Sequence, residues 1–176
     1  DVSARYGNSE IRLTEEQNII IVGIKEGNIK NFQELNLIKR FPFNPKSVEA
    51  GTISCTGNTY CSFALTNTKD NALKIAEELD EELELPEEVK IHWTGCPNSC
   101  GQAYMGGIGL TGKKAKNSEG KTVEAYDICV GGSQGPEAKI AEFKYKSIPI
   151  DSVKEMIKKI LIEQYSAKTI QQKSFS

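Results

Sequence analysis

The stretch HWTGCPNSCGQ, residues 92–102, decides the fold, because a strand pattern runs directly into a pair of cysteines. The alternation of Val89, Ile91 and Trp93 with polar residues predicts a short strand over residues 89–93, and the chain leaves it towards Cys96 and Cys100. If Pro97 occupies the first turn of a helix, both cysteines lie on one face of that helix, one turn apart. The sequence therefore predicts a strand that delivers two thiols to a single site.

A second cysteine pair is found in CTGNTYC, residues 55–61, after a predicted strand over residues 47–54. The chain has 5 cysteines, so an internal disulfide framework cannot use all of them. The fifth, Cys129, lies in an apolar strand pattern and is interpreted as a core thiol. Two close pairs in a chain without a secretion signal predict a metal site.

Charged residues are absent from residues 50–68 and 94–112, although 26% of the chain is charged. Such surroundings suit a buried iron-sulfur cluster, whose properties depend on exclusion of water and on N–H bonds to sulfur. Two alternatives remain open at this point. One is four reduced structural cysteines without metal. The other is a structural zinc site, which the five-residue and three-residue gaps fit poorly.

The remaining pattern predicts an α/β (α+β) fold. An amphipathic helix is expected over residues 69–83, and a hairpin over residues 108–113 and 122–130. Ser152 and Glu155 have the spacing of a capping box before an apolar stripe, which predicts a last helix. Together these elements predict a layered mixed sheet with flanking helices.

The chain is predicted to contain two parts and a tail. Residues 1–45 show two strand patterns and a short amphipathic helix with Phe32, Leu35 and Ile38 on one side. Residues 46–167 form the cysteine-bearing domain, and the polar residues 168–176 are predicted to be a disordered tail.

Bulk properties exclude some functions. The 176-residue chain has a net charge of -2 and no basic stripe, which argues against nucleic-acid binding. No apolar run approaches the ~20 residues of a membrane helix, and no signal pattern opens the chain. We therefore expect no membrane span and a cytoplasmic location. Because the first residue is Asp1, the chain is interpreted as a fragment.

The two cysteine motifs resemble those of ferredoxin-dependent nitrite reductases. The resemblance includes CTGNTYC at 55–61 and HWTGCPNSCGQ at 92–102. It covers nearly all of the chain except the last ten residues or so, and also includes Tyr6 and Gly7, residues 10–14, Gln17 and Asn18, Gly131 and Gly132, and Tyr165.

This resemblance implies a fold, namely the C-terminal 4Fe-4S domain of nitrite and sulfite reductases, preceded by part of a ferredoxin-like half-domain. It implies that Cys55, Cys61, Cys96 and Cys100 hold a 4Fe-4S cluster. It also implies that Cys100 bridges this cluster to the iron of sirohaem as the axial ligand. The resemblance further implies that Thr94, Asn98 and Gln102 lie at the edge of the sirohaem.

The activity implied is that of an oxidoreductase, which reduces nitrite to ammonia by six electrons with reduced ferredoxin as donor. In a photosynthetic eukaryote the location would be the plastid stroma. Sirohaem is rich in carboxylates, yet both cysteine stretches lack Lys and Arg. The missing N-terminal half of the enzyme is therefore expected to supply the cations, and the isolated chain is expected to be inactive.

Two further functions remain as alternatives. An assimilatory sulfite reductase is one, although Ser99, Gln102 and a first cysteine motif without proline favour nitrite. A haem-free 4Fe-4S electron-transfer module is the other. His92 is expected to pack or form a hydrogen bond rather than act in catalysis. The lysines of residues 113–121 are a candidate ferredoxin-docking edge, but a lysine-rich hairpin turn is usually only solvated.

Overall fold

A computed structural model describes residues 1–170, and the chain divides into two units at Pro45. In the first unit, strands β1 (Ile11–Leu13) and β2 (Ile19–Ile21) form an antiparallel pair in which Ile11 lies opposite Ile21. Phe32 is buried and meets the ring of Tyr6 edge-on. The elements of this unit are α1 (Val2–Tyr6), β1 (Ile11–Leu13), β2 (Ile19–Ile21), a 3-10 turn (Glu26–Asn28), α2 (Ile29–Gln33) and α3 (Asn36–Arg40).

The second unit is built on a five-stranded mixed sheet. The strands of this unit are β3 (Thr52–Ser54), β4 (Leu83–Glu84), β5 (Ile91–Thr94), β6 (Ile108–Lys116), β7 (Thr122–Val130), β8 (Glu142–Pro149) and β9 (Lys168–Thr169). The sheet has the strand order β3-β5-β6-β7-β8, in which β3, β5 and β6 are parallel and the last two pairings are antiparallel. The helices are α4 (Ser47–Gly51), α5 (Thr68–Glu82) and α6 (Ile150–Tyr165), with a 3-10 turn at Ala103–Met105.

The core of this unit lies between the sheet and helices α5 and α6. Leu79 of α5 and Ile157 of α6 are fully buried in the same cluster as Trp93 and Tyr126 of the sheet. The two aromatic rings meet edge-on with their centroids 5.1 Å apart. The predicted α/β fold, a mixed sheet with flanking helices, is confirmed. No helix within residues 1–170 is long and apolar enough to cross a membrane.

One buried carboxylate fixes the approach of the chain to the first cysteine pair. Asp80 of α5 is 7% exposed and accepts hydrogen bonds from the backbone N–H groups of Val48 and Glu49, both at 2.9 Å. These N–H groups belong to the first turn of α4, where no partner exists within the helix. Asp80 thereby holds α4, and with it the short strand β3 that leads to Cys55.

Several predicted boundaries are wrong. The strand predicted over residues 47–54 is a helix turn followed by three strand residues, because Asp80 captures the N–H groups of that turn. The single helix expected around Phe32, Leu35 and Ile38 is two short helices, because Leu35 is extended. Helix α6 begins at Ile150, and Pro149 is its N-cap residue. Ser152 therefore lies inside the first turn and does not cap the helix.

The tail predicted over residues 168–176 begins too early. Lys168 and Thr169 form β9, which pairs with β4, and the N–H of Ile170 donates to the carbonyl of Glu82. Backbone pairing of this kind was not visible in a polar sequence. Residues 171–176 lie outside the described part of the chain.

Candidate functional site

Parallel pairing of β3 with β5 brings the two cysteine pairs to one edge of the sheet. Ser54 and Trp93 lie opposite each other at the ends of these strands, and the N–H of Cys55 donates to the carbonyl of Trp93 at 3.0 Å. Cys55 is therefore the first residue beyond β3, and Cys96 follows two residues beyond β5. Although 40 residues separate Cys55 from Gly95, they are neighbours in space.

The first cysteine loop, residues 55–67, is closed by backbone hydrogen bonds. The N–H of Cys61 donates to the carbonyl of Gly57, and the N–H of Asn58 donates to that of Thr66, both at 3.0 Å. These bonds fold the loop back on itself between β3 and α5. Cys61 is consequently tied to Gly57, two residues beyond Cys55.

The second cysteine loop, residues 95–106, is a chain of tight turns. The N–H of Ser99 donates to the carbonyl of Cys96 at 3.3 Å, and that of Gln102 donates to the carbonyl of Ser99 at 2.8 Å. Ser99 and Gln102 both have φ of 55°, in the left-handed region. The helix predicted from Pro97 is therefore wrong, because residues in this region interrupt a right-handed helix.

The two loops are packed directly against each other. The N–H of Gly95 donates to the Sγ of Cys55 at 3.2 Å, and the N–H of Leu65 donates to the carbonyl of Gly95 at 2.7 Å. A Cβ at Gly101 would lie 2.1 Å from the Trp93 carbonyl oxygen and 3.3 Å from the nitrogen of Cys55. Only glycine fits at residue 101, where the second loop turns back over the sheet.

The Cys55 thiol has an environment that favours the thiolate. Burial opposes its ionisation, but hydrogen bonds from the Thr68 side chain and from the backbone N–H groups of Gly57 and Gly95 outweigh burial and lower its pKa. The Thr68 hydroxyl lies 3.6 Å from the Sγ of Cys55 and 2.6 Å from its carbonyl oxygen. A thiolate is the form that binds metals, so this environment suits a ligand.

The four predicted ligands differ in exposure. Cys96 is buried, Cys55 and Cys61 are half-buried, and Cys100 is exposed. Cys129 lies apart from them on β7, as predicted for a core thiol. It is fully buried, its Sγ donates to the carbonyls of Ala103 and Gly109, and burial raises its pKa. The structure thus separates the two cysteine pairs from the fifth cysteine.

The four predicted ligands are all thiols, a donor set that suits an iron-sulfur cluster. Within residues 1–170 no three or more His, Cys, Asp or Glu side chains converge on a single metal ion. A 4Fe-4S cluster does not require such convergence, because each of its four thiolates binds a different iron. The all-sulfur donor set and the N–H bond from Gly95 to Cys55 match what such clusters use.

The remaining predicted site residues lie around the second loop. Thr94 is 1% exposed, and its hydroxyl donates to the carbonyl of Cys96 at 3.4 Å, whereas Asn98 and Gln102 are exposed. His92 is buried, and its Nδ1 lies 3.0 Å from the carbonyl oxygen of Gln102. This contact confirms the hydrogen-bonding interpretation of His92.

Three residues near the loops were not found from the sequence. Thr68 contacts Cys55, and the Nζ of Lys69 donates to the carbonyl of Ser54 at 3.4 Å. Glu124 of β7 accepts hydrogen bonds from three asparagines around the first loop. Lys69 opens the predicted helix and Thr68 directly precedes it, which is a usable signal, whereas nothing in the local sequence connects Glu124 with the first loop.

The lysine-rich hairpin carries acidic partners. The Nζ of Lys113 lies 3.0 Å from Asp127, that of Lys114 lies 3.8 Å from Glu124, and that of Lys121 lies 2.8 Å from Glu119. These pairs neutralise much of the basic character that the sequence suggested for residues 113–121.

Comparison with known families gives two matches. Residues 50–172 match the family described as nitrite and sulphite reductase 4Fe-4S domain, and residues 1–35 match the nitrite/sulfite reductase ferredoxin-like half domain. The first match covers both cysteine loops and the sheet that carries them.

Individual relatives agree with these matches. The chain is 42% identical to ferredoxin--nitrite reductase of Synechococcus elongatus, over 92% of this chain and 31% of that protein. It is 40% identical to the chloroplastic ferredoxin--nitrite reductase of Oryza sativa, over 92% of this chain and 27% of the relative. A third relative, the assimilatory ferredoxin-dependent nitrite reductase of Haloferax mediterranei, is 36% identical over 95% of this chain and 29% of its own length.

A solved structure, that of the Mycobacterium tuberculosis NirA protein, matches the fold with a TM-score of 0.82 at 22% identity. The match covers 92% of this chain and 31% of the NirA chain. The chain thus spans about a third of the length of the relatives it matches. The sheet edge with its two cysteine loops, the matched residues and the relatives agree: the chain belongs to the nitrite and sulphite reductase 4Fe-4S domain family.

Proposed function

We propose that this chain forms the C-terminal part of an assimilatory nitrite reductase, which reduces nitrite to ammonia by six electrons taken from reduced ferredoxin. The support is the family match together with relatives that are named ferredoxin--nitrite reductases. Residues 1–45 are proposed as the end of a ferredoxin-like half-domain, and residues 46–167 as the domain that binds the cofactors. The proposed location is the cytoplasm, or the plastid stroma in a photosynthetic eukaryote.

The proposed cluster ligands are Cys55, Cys61, Cys96 and Cys100. The observation that carries this proposal is the N–H bond from Gly95 to the Sγ of Cys55, which joins the two cysteine loops at one sheet edge. When bound, the cluster and sirohaem supply the one-electron transfers that nitrite reduction needs. The protein contributes two cysteine loops without charged residues and a hydrogen bond from the N–H of Gly95 to the Sγ of Cys55.

Cys100 is proposed as the bridge to the sirohaem iron. A bridging sulfur needs a free side that points away from its own loop. Of the four thiols, Cys100 is exposed whereas Cys96 is buried. The exposed amides of Asn98 and Gln102 on the same loop are available to donate to carboxylates of the sirohaem. Thr94 stays a prediction, with its hydroxyl directed at the Cys96 carbonyl.

The remaining cations are proposed to come from the missing N-terminal half. Lys69 beside β3 places one positive charge close to the first loop. One positive charge is too few to balance the several carboxylates of sirohaem and an anionic substrate. The isolated chain should therefore bind the cluster without turning over nitrite. For the docking of ferredoxin, the lysine pairs of the hairpin make residues 113–121 a weaker candidate than their sequence suggests.

Anaerobic reconstitution with iron and sulfide tests the cluster. We expect about four iron atoms per wild-type chain, a number that follows from the proposed cluster type. Cys100→Ser should lower the iron content and change the electron paramagnetic resonance spectrum, because it removes one ligand. Cys129→Ser is the matched control and should bind iron like wild type. Full iron content with an unchanged spectrum in Cys100→Ser would overturn the ligand assignment.

The alternative functions are separated by two further measurements. A chain joined to its N-terminal half should show the visible absorption of sirohaem, which a haem-free electron-transfer module would lack. The joined enzyme should reduce nitrite faster than sulfite. A higher kcat/KM for sulfite would show that the chain belongs to the sulfite-reducing members of its family.

A further inference from the structure

Glu124 stands at the centre of a hydrogen-bond network outside the cysteine loops. Its carboxylate lies on β7 and accepts from the side-chain amide of Asn58 at 3.0 Å and from that of Asn71 at 3.1 Å. The backbone N–H of Asn67 lies 3.1 Å from both of its oxygens. The Nζ of Lys114 is 3.8 Å away. A single carboxylate therefore joins the sheet to the first loop and to the start of α5.

Each end of the first loop is attached to this network. Asn58 lies between Cys55 and Cys61, and its backbone N–H closes the loop onto Thr66. Asn67 is the N-cap of α5, and the next residue, Thr68, contacts both the carbonyl and the Sγ of Cys55. Movement at Glu124 would therefore be transmitted to both ligands of the first pair.

The contacts of Glu124 are more than a surface ion pair. Its side chain is 23% exposed, and amide donors rather than the 3.8 Å lysine make the short contacts. Hydrogen bonds to a charged acceptor are stronger than neutral ones and fix direction as well as distance. The donors are residues 58, 67 and 71, which belong to the first loop and to α5. Glu124 therefore connects separate parts of the chain.

We propose that Glu124 is a positioning residue for the iron-sulfur site, which holds the first cysteine loop in the geometry that binds the cluster. This inference rests on the proposed function, because it presupposes that Cys55 and Cys61 are ligands. Glu124 acts through Asn58 and Asn67 and does not itself bind iron.

Glu124→Gln is the most informative variant, because it keeps the shape and removes the charge. A glutamine can accept from one amide with its oxygen, but its NH₂ group then faces another donor, so one contact is lost. Asn58→Ala removes the loop side of the same network on an exposed residue that need not affect folding. Glu119→Gln, at the exposed hairpin turn, is the matched control.

The three variants and wild type are reconstituted anaerobically as the full chain and then treated with an iron chelator. We expect Glu124→Gln and Asn58→Ala to lose iron on the order of tenfold faster than wild type, the factor that corresponds to one charge-assisted hydrogen bond. Their reduced clusters should show a shifted electron paramagnetic resonance spectrum. Glu124→Gln should also have a higher midpoint potential, because a nearby negative charge opposes reduction.

The possible outcomes separate the inference from the proposed function. Wild-type spectra, potential and chelator resistance in both Glu124→Gln and Asn58→Ala would overturn the positioning role, even if Glu124→Gln unfolds more readily in urea. Equal changes in Glu119→Gln would overturn it as well, since the effect would then not be specific. A wild-type chain that binds no iron would instead overturn the proposed function, and this inference with it.

Discussion

The two cysteine loops are held in different ways. The first loop, residues 55–67, has backbone hydrogen bonds of its own but is also held by side chains from elsewhere, namely Thr68 of α5 and Glu124 of β7. The second loop, residues 95–106, is shaped by its own backbone, through successive turns with Ser99 and Gln102 in the left-handed region. The candidate site thus combines a loop that needs side chains of α5 and β7 with a loop whose shape is set by its own backbone turns. The first loop should therefore respond to mutations in α5 and β7, whereas the second loop should respond mainly to mutations within the loop itself.

The largest effect should come from the second loop at Gly101. In Gly101→Ala the new Cβ would lie 2.1 Å from the Trp93 carbonyl oxygen, so the loop or β5 must move. We expect a loss of about 3 kcal/mol in the free energy of unfolding, measured by urea denaturation. Gly27→Ala is the control, since nothing lies within 4 Å of a Cβ there. A loss below about 0.5 kcal/mol at residue 101 would show that the loop is not packed as described.

The base of the first loop should respond to high pH through Tyr126. Burial raises the pKa of Tyr126 from 10.0 to about 12, and its hydroxyl donates to the carbonyl of Asn67 at 3.3 Å. Between pH 10 and 12 the unfolded chain loses this proton while the folded chain keeps it. Stability contributed below pH 10 is therefore lost as pH rises to 12, by about 2–3 kcal/mol in total.

Tyr126→Phe separates this contribution from other titrations, because lysines and thiols titrate in both proteins. The stability difference between wild type and Tyr126→Phe should decrease between pH 10 and 12, as measured by denaturation at a series of pH values. A difference that stays constant over this range would show that the hydroxyl titrates normally in the fold.

Thr68→Val tests the contact between α5 and the first loop. The change keeps the shape but leaves the Cys55 carbonyl without its 2.6 Å hydrogen bond. We expect a loss of about 1–2 kcal/mol in unfolding free energy and a higher pKa of the Cys55 thiol, measured from its rate of alkylation against pH. Thr122→Val, at an exposed position on β7, should change neither quantity. Equal stability of Thr68→Val and Thr122→Val would show that the contact of α5 with Cys55 does not stabilise the first loop.

The smallest effect is expected at Ser99, where two variants separate the contribution of the side-chain hydrogen bond from that of the left-handed backbone. Ser99 has φ of 55°, and its hydroxyl accepts from the N–H of Ala103 at 3.2 Å. Ser99→Ala loses the hydrogen bond and keeps the strain, so it should cost about 1 kcal/mol. Ser99→Gly loses the same bond but relieves the left-handed backbone, so we expect stability close to wild type. Identical denaturation midpoints for the two variants would contradict local control of the second loop.

The sequence was sufficient for the elements with strong periodicity. Helix α5 was predicted within one residue at each end, and strand β7 over its full length, because alternation and helical spacing are local signals. The grouping of four cysteines into two close pairs could be predicted for the same reason, because each pair lies within one short stretch of sequence.

What the sequence could not show depends on distant partners. Residues 47–51 resemble a strand until Asp80, about 30 positions later, captures their N–H groups. The turns at Ser99 and Gln102 were missed because Pro97 is also a good first residue of a helix. Glu124 was missed because its three donors are brought together only when α5 packs beside the sheet.

The parallel pairing of β3 with β5 also has a consequence for the order of folding. Two parallel neighbours cannot be joined by a tight turn, so the contact of Cys55 with Gly95 needs the long crossover connection that contains α5. Contacts of such high sequence separation form slowly. The proposed ligands of the first loop therefore meet those of the second only when the sheet has paired, so assembly of the proposed cluster should follow folding of the sheet rather than nucleate it.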